Sequence, residues 1–360
     1  LFIDEIQNSP AAVAQLRYFF EDMPWLPVIV AGSLFETMLA NKISFPVGRV
    51  EFLPVRPCSF NEFLGATGNQ QSMELINKFP FPNYGHSHLL NLFNTYITIG
   101  GMPEIIGLFG KDGNIAPLQS VYDALITTYL EDVEKYARNK TMNHMLRHTI
   151  QHAFRTAGSQ ITFQGFGNSL YKSREMGETF RTLERTYLLQ LVYPVTTTRL
   201  PASPNVRRSP KIQMVDSGLV NHLMGIQHEI LGSTDINDLY KGRIAEHIAG
   251  QELLTLTDSP LYKLNSWTRE NKDATSEVDF VWIHKGMVIP IEVKSGRTGK
   301  LRSLHQFVDE APHPWAVRIY SGLFSIEETK TIAGKPFLLL NLPFYLISKL
   351  QVYLDYMIEQ

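Results

Sequence analysis

Two acidic residues and a lysine on neighbouring strand-like segments carry the chemistry most open to reading in this sequence. Glu277-Val278-Asp279 begins one apolar run and Ile291-Glu292-Val293-Lys294 ends the next; the thirteen positions from Asp279 to Glu292 are enough for a hairpin. Glu292 and Lys294 stand at i and i+2, so both project from one strand face. Carboxylates so placed suit a hard cation, and acids set beside the apolar run VIPI need a reason to be buried. The plainer alternative is a strand pair with its charges facing water. A second acidic pair, Asp4-Glu5, closes an apolar strand, where ligands collect in open α/β sheets; otherwise it serves only to cap the next helix. Arg174, Arg181 and Arg185, spaced by seven and four, share one helix face. With Arg207, Arg208 and Lys211 in the following loop they form a phosphate-seeking set, unless they pair with acids of the same chain. His144, His148 and His152 recur every fourth residue without an acid to complete a metal set, and read as a polar stripe.

The elements that must position these residues follow from apolar periodicity. Strands are expected at 1–6, Pro27–Ala31 and Arg49–Val55 around a helix at 11–21, which is the start of a parallel α/β sheet. From Ser59 to Lys140 the pattern is helical. Helices at 142–157 and 174–191, then TTTRL, a proline-rich loop and KIQMVDSGL, give the helix, helix, hairpin order of a winged helix-turn-helix. A helix over 239–256 precedes strands at Tyr262–Trp267, Val278–His284 and Val288–Lys294, a helix at Leu301–Glu310 and a strand at Pro314–Tyr320. The 360 residues are 44% hydrophobic and 19% charged, which excludes disordered and low-complexity classes. The absence of a long apolar run argues against membrane partners, and the lone Cys58 fits a reducing, cytoplasmic setting. The net charge of −2 conceals an asymmetry. Residues 1–137 hold 7 Lys and Arg against 14 Asp and Glu, residues 138–211 hold 12 against 3, and residues 212–360 hold 14 against 18. The middle segment is therefore basic, the footprint expected of nucleic-acid contact.

Several stretches together carry a resemblance. LFIDEIQ, VIVAGS with Ser33 at a polar sensor position, Gly48-Arg49, LPVRPCSFNEFL, GGMPEI, YLEDVEKY, KIQMVDSGL and the series GRIAEH, EVDFVW, IPIEVKSG resemble, in this order, a family of prokaryotic AAA-type ATPases with a C-terminal domain of unknown function. The resemblance implies that Asp4 serves a Mg²⁺ shell, that Glu5 orients the attacking water, and that Arg49 acts on the ATP of a neighbouring subunit in a homo-oligomer. The family's phosphate-binding loop, GxxxxGK[ST], is not found here; GRTGKL from Gly296 has Lys294 and Leu301 at the wrong places. ATP thus belongs to the complete family member, and this chain, whose initial Leu1 reads as a cut, is expected neither to bind ATP well nor to hydrolyse it.

The segment from 277 to 294 resembles the PD-(D/E)XK nucleases. That resemblance implies Mg²⁺ on Asp279 and Glu292 with the Val293 carbonyl, Lys294 positioning water or stabilising charge, Glu246 adding a carboxylate through a metal-bound water, and Gln306 as in junction-resolving members. The expected architecture is multidomain α/β. It comprises part of a P-loop ATPase core (1–65), a helical lid (66–140), a winged helix (141–225), a restriction-endonuclease-like α/β domain (226–330) and a C-terminal extension (331–360). The expected function is that of a DNA-associated, AAA-type ATP-binding protein. A Mg²⁺-dependent DNA endonuclease and a non-catalytic interaction scaffold are the alternatives.

Overall fold

Strand and helix alternate near both ends of the chain, with a long helical stretch between them; the computed structural model describes residues 1–32, 46, 48–227, 243–270, 276–296 and 301–359. At the N-terminus β1 (Phe2–Ile3) and β2 (Ile29–Val30) pair in parallel around α1 (Pro10–Asp22). Ser9 caps α1 by accepting the Ala12 N–H, and Pro10 opens it, where a missing N–H leaves nothing unsatisfied. Val13 and Leu16 pack on Ile6 as a small core of their own. The strand expected at Arg49–Val55 does not form. This stretch has no ladder partner among the described residues, and Leu53 and Val55 are exposed, because alternation yields a strand only where another edge can accept its hydrogen bonds.

The helical stretch comprises α2 (Phe60–Ala66), α3 (Gln70–Ile76), α4 (His86–Ile99), α5 (Pro103–Asp112), α6 (Leu118–Asp132), α7 (Lys140–Ala153) and α8 (Ser173–Arg185). A reciprocal capping box between Ser59 and Glu62 starts α2. The helix expected to reach residue 191 stops at Arg185. Leu189–Val195 instead forms strand β3, with Leu191, Val192 and Val195 buried, so this run rather than TTTRL is the first strand of the hairpin. β4 (Lys211–Met214) returns antiparallel to β3, followed by α9 (Ser217–Met224) and α10 (Arg243–Leu254).

The remaining elements are β5 (Asn265–Thr268), β6 (Glu277–His284), β7 (Met287–Lys294), α11 (Arg302–Glu310), β8 (Trp315–Tyr320), β9 (Ser325–Lys330), β10 (Pro336–Pro343) and α12 (Leu350–Glu359). Eight strands form one mixed sheet in the order β4-β3-β5-β6-β7-β8-β10-β9. β7 runs parallel to β8, and β8 parallel to β10, while β5, β6 and β7 alternate in direction. The β6–β7 turn has two central residues, Lys285 (φ 46°) and Gly286 (φ 77°), the double left-handed conformation of a tight hairpin turn. α11 lays Leu304, Phe307 and Val308 on one face of the sheet, against Trp267, Val288, Ala316 and Leu339. The opposite face, with Phe280, Ile291, Val317 and Leu340, meets Ile244 and Ile248 of α10 and the inner side of α12. Helices on both faces of a mixed sheet make a three-layer α/β structure.

The sheet and the larger core extend across the boundaries expected at 225 and 330. β3 and β4 form one end of the same sheet that holds β6 and β7, and β10 lies inside it between β8 and β9. The larger hydrophobic core likewise runs continuously from Phe60 to Met357. No helix among the described residues is long and apolar enough to cross a membrane.

A buried polar network joins the helices to the sheet. Asp216, wholly buried, accepts the Gly101 N–H at 2.6 Å and, as the cap of α9, the Leu219 N–H at 3.0 Å. Glu252 on α10 accepts the Phe60 N–H at 3.1 Å and the Tyr96 hydroxyl at 2.6 Å, and Gln251 donates to the same hydroxyl. Gly218 admits the chain at its closest point, because a Cβ there would overlap the Ile99 carbonyl oxygen.

Burial raises the Glu252 carboxyl to about 7 despite its bonds to Tyr96 and Phe60, and Glu62 adds to the rise; burial likewise raises Asp216 to about 6. Since the folded chain holds these protons more tightly than the unfolded one, their contribution to stability is fullest below the unfolded carboxylate range and fades as pH rises through the folded values. The thermal midpoint of the wild type should therefore fall as pH rises from about 4.5, the ordinary glutamate value, to about 7, the upper end of the window being set by Glu252. Glu252→Gln, which keeps an acceptor for Phe60 and Tyr96, should flatten that part of the profile in calorimetric scans. An unchanged slope would assign the effect elsewhere.

Candidate functional site

The hairpin carries the acidic residues to one end of the sheet. Phe280 opposite Ile291 is the last ladder pair toward that end; one step further Asp279 faces Glu292, and Asp279 Oδ2 accepts the Val293 N–H at 2.8 Å. Asp279 and Glu292 are both buried, 7% and 5% exposed, so they are not solvated strand charges. Lys294 Nζ donates to Glu292 Oε1 at 2.6 Å, and α10 brings Glu246 to the same place. Four of the residues expected together, Asp279, Glu292, Lys294 and Glu246, do converge.

The structure adds a residue that the sequence suggested for another role. Lys211, expected on the DNA-contacting loop, reaches from β4 into the acidic cluster. Its Nζ lies 2.7 Å from Glu246 Oε2, 2.9 Å from Glu277 Oε1 and 3.3 Å from Asp279 Oδ1. Burial works against its charge, yet Asp279, then Glu246 and Glu277, hold its pKa above the ordinary lysine value. Burial raises the Glu292 and Glu246 carboxyls, and the nearby Asp279 charge raises both further. For Lys294 burial is likewise outweighed, chiefly by Glu292, and its pKa is raised. Glu246 and Glu292 thus hold their protons more tightly than solvated carboxyls do, which lessens the charge buried among the acids.

Gln306 lies on α11, and among the described residues its buried Oε1 has no hydrogen-bond partner; nor does Glu292 Oε2. In the ladders Glu292 stands beside Arg318, and Arg318 beside Asn341, a polar row across β7, β8 and β10. Arg318 stacks over Tyr320 at 4.5 Å, and among the described residues its Nε has no hydrogen-bond partner.

The donor set does not fit the Mg²⁺ expected from the nuclease resemblance. Both Asp279 oxygens are engaged, one by Lys211 and one by the Val293 N–H, and Lys294 holds Glu292 Oε1, which leaves Glu292 Oε2 as the open oxygen of that pair. Mg²⁺ demands near-octahedral oxygen ligation, and with Lys211 in place no group of three His, Cys, Asp or Glu among the described residues is arranged to hold a metal ion.

At the N-terminus, Asp4 and Glu5 follow β1 and are exposed, and the Ile6 N–H bonds to Ala31 O just beyond β2, so the pair does stand at the carboxyl end of parallel strands. Glu5 takes a left-handed backbone (φ 49°). Arg49 Nε donates to Glu21 Oε1 at 2.7 Å, at the end of α1. Ser33 lies outside the described residues.

The basic residues divide into two groups. Arg174, Arg181 and Arg207 are exposed, and among the described residues none of them forms an ion pair. Arg185 is exposed and donates to Thr182 Oγ1 at 3.3 Å, while Arg208 donates to the backbone carbonyls of Arg269 and Glu270. The His148 and His152 rings lie 4.4 Å apart with their planes tilted, and His148 bonds to the Phe166 carbonyl, in keeping with a polar stripe.

Residues 1–64 match a family described as AAA domain. Residues 241–335 match a domain of unknown function (DUF4143), and residues 90–229 match another (DUF8612). The AAA match makes the chain AAA-like and ATPase-related at its N-terminus, and its pairing with the C-terminal match accords with an AAA-type ATPase family. No curated protein and no solved structure matches the chain.

Lys211 was the residue hardest to read from sequence. It belongs by position to the basic loop, and the one signal against that is its place at the head of the apolar strand KIQM, whose other residues are buried.

Proposed function

We propose that this AAA-like chain associates with DNA through the exposed face of α8 and that its C-terminal α/β part binds rather than cleaves. The observation that carries the reading is the state of Arg174 and Arg181: exposed on one face of α8, inside the basic segment, and without acidic partners among the described residues. Unpaired guanidinium groups there keep their full capacity to release counterions from a phosphate backbone. The intramolecular alternative would have these arginines paired. Other charges of the segment are paired in that way, Arg138 with Glu178 and Arg147 with Glu134.

The helix, helix, hairpin order of α7, α8, β3 and β4 supports a winged-helix arrangement with α8 as the recognition helix and Arg207 on the wing. The order α10, β5, β6, β7, α11, β8 supports kinship with the restriction-endonuclease-like fold, which persists where catalysis does not. Asp4, Glu5 and Arg49 support a nucleotide-related role for the N-terminal part. ATP turnover is not assigned to this chain by itself, since no GxxxxGK[ST] cradle accompanies these residues in the sequence.

Fluorescence anisotropy with a labelled duplex, measured across a salt series, tests the DNA reading. Wild-type affinity should fall steeply with salt, and Arg174→Ala with Arg181→Ala should weaken binding and lower the log–log slope by about 2, roughly one unit per lost phosphate contact. An unchanged slope in the double variant would reject α8 as the contact surface.

A further inference from the structure

We infer that Lys211 is the resident cation of the acidic site at the end of the β6–β7 hairpin, and that it excludes a divalent metal from that site. An ammonium group has three N–H bonds to donate and no acceptor, and Lys211 meets three carboxylates, those of Glu246, Glu277 and Asp279. These acids come from two separate elements, α10 and β6, while the lysine comes from a third, β4. The contact is therefore not a chance pairing of neighbours in sequence.

The lysine is also held from behind. Its backbone pairs with Val192 on one side and bridges Gln160 on the other, so β4 cannot shift without breaking both contacts. Lys211 lines a small cavity together with Val192, Ile212 and Phe280, so withdrawal of the ammonium would uncover three acids beside an apolar lining. The lysine side chain is only 13% exposed.

A divalent ion would need the oxygens that Lys211 occupies. The Lys211 ammonium and the Val293 N–H already draw on both Asp279 oxygens, so a cation there would have to compete with them. The cluster therefore acts as a strut. It ties β4, the last part of the basic segment, to α10 and β6, so that the surface assigned to DNA is joined to the C-terminal sheet by charge as well as by the backbone ladder. This inference concerns the acidic site and does not depend on the DNA reading.

Mn²⁺ binding to the full chain, followed by the loss of the free-ion paramagnetic resonance signal, provides the test. Wild-type protein should bind no Mn²⁺ in a manner that depends on Asp279. Lys211→Met should gain a site at least about tenfold tighter, and Asp279→Asn in that background should abolish it. Wild-type binding that Asp279→Asn removes would overturn the inference, and so would a folded Lys211→Met protein that gains no site. Should Lys211→Met fail to fold, acylation of Lys211 in the native wild type, read by mass spectrometry, decides the matter. Labelling unchanged by millimolar Mg²⁺ supports the inference, whereas labelling that rises with Mg²⁺ shows the lysine displaced by metal and overturns it.

Discussion

Asp216→Ala is expected to lower stability by about 3–5 kcal/mol, from the loss of an N-cap (about 1) and of buried acceptors for further N–H groups (about 1–3 each). The side chain is wholly buried and serves two places far apart in sequence, the Gly101 N–H and the start of α9. Alanine would leave both donors with neither a partner nor access to water. Asp216→Asn keeps one carbonyl acceptor and the shape of the side chain, so it should cost less, about 1–3 kcal/mol. The gap between the two variants separates the loss of an acceptor from the loss of packing. Denaturant midpoints followed by intrinsic fluorescence measure it, and equal midpoints for Asp216→Ala and wild type would show that the Gly101 loop finds another partner.

Lys211→Met should be of comparable size, about 3–5 kcal/mol, because removal of one member of a buried ionic group leaves the others uncompensated. Methionine fills the space of the lysine stem, so little of this loss comes from packing. Glu246, Glu277 and Asp279 would then face one another without the charge that separates them. The diagnostic result lies in the combination. Adding Glu246→Gln and Asp279→Asn to Lys211→Met removes two of those charges and should recover much of the loss, although each of the two substitutions is destabilising beside an intact lysine. Such a reversal of sign marks direct coupling. Strict additivity in thermal melts would mean that the lysine acts through something other than these acids.

Local pattern conveys one part of the acidic site and not the rest. Asp279 and Glu292 were legible because strand periodicity places them at corresponding ends of a hairpin, and the Lys285-Gly286 turn preserves that register. Glu246 and Gln306 were reached through resemblance, and the structure seats them on α10 and α11 beside the sheet. Arg49–Val55 has the alternation of a strand but no ladder partner among the described residues, and Leu189–Gln190 continues a helical pattern yet joins β3. In both cases the outcome rests on which edges are available for pairing, and no local pattern records that.

By itself the sequence determined the alternation of elements, the basic middle segment, the exposed arginine face of α8 and the acidic pair of the β6–β7 hairpin. Each depends on spacing within one element or across one tight turn, distances over which the chain's own geometry dictates which side chains meet. Tertiary structure alone decided that the middle segment and the C-terminal strands share one sheet, and that Lys211 turns away from the loop arginines into the acids. Lys211 and Asp279 are 68 residues apart and meet only because β4 forms an edge of the same sheet. An ammonium excluded from water goes to the carboxylates nearest in space, whatever their distance along the chain.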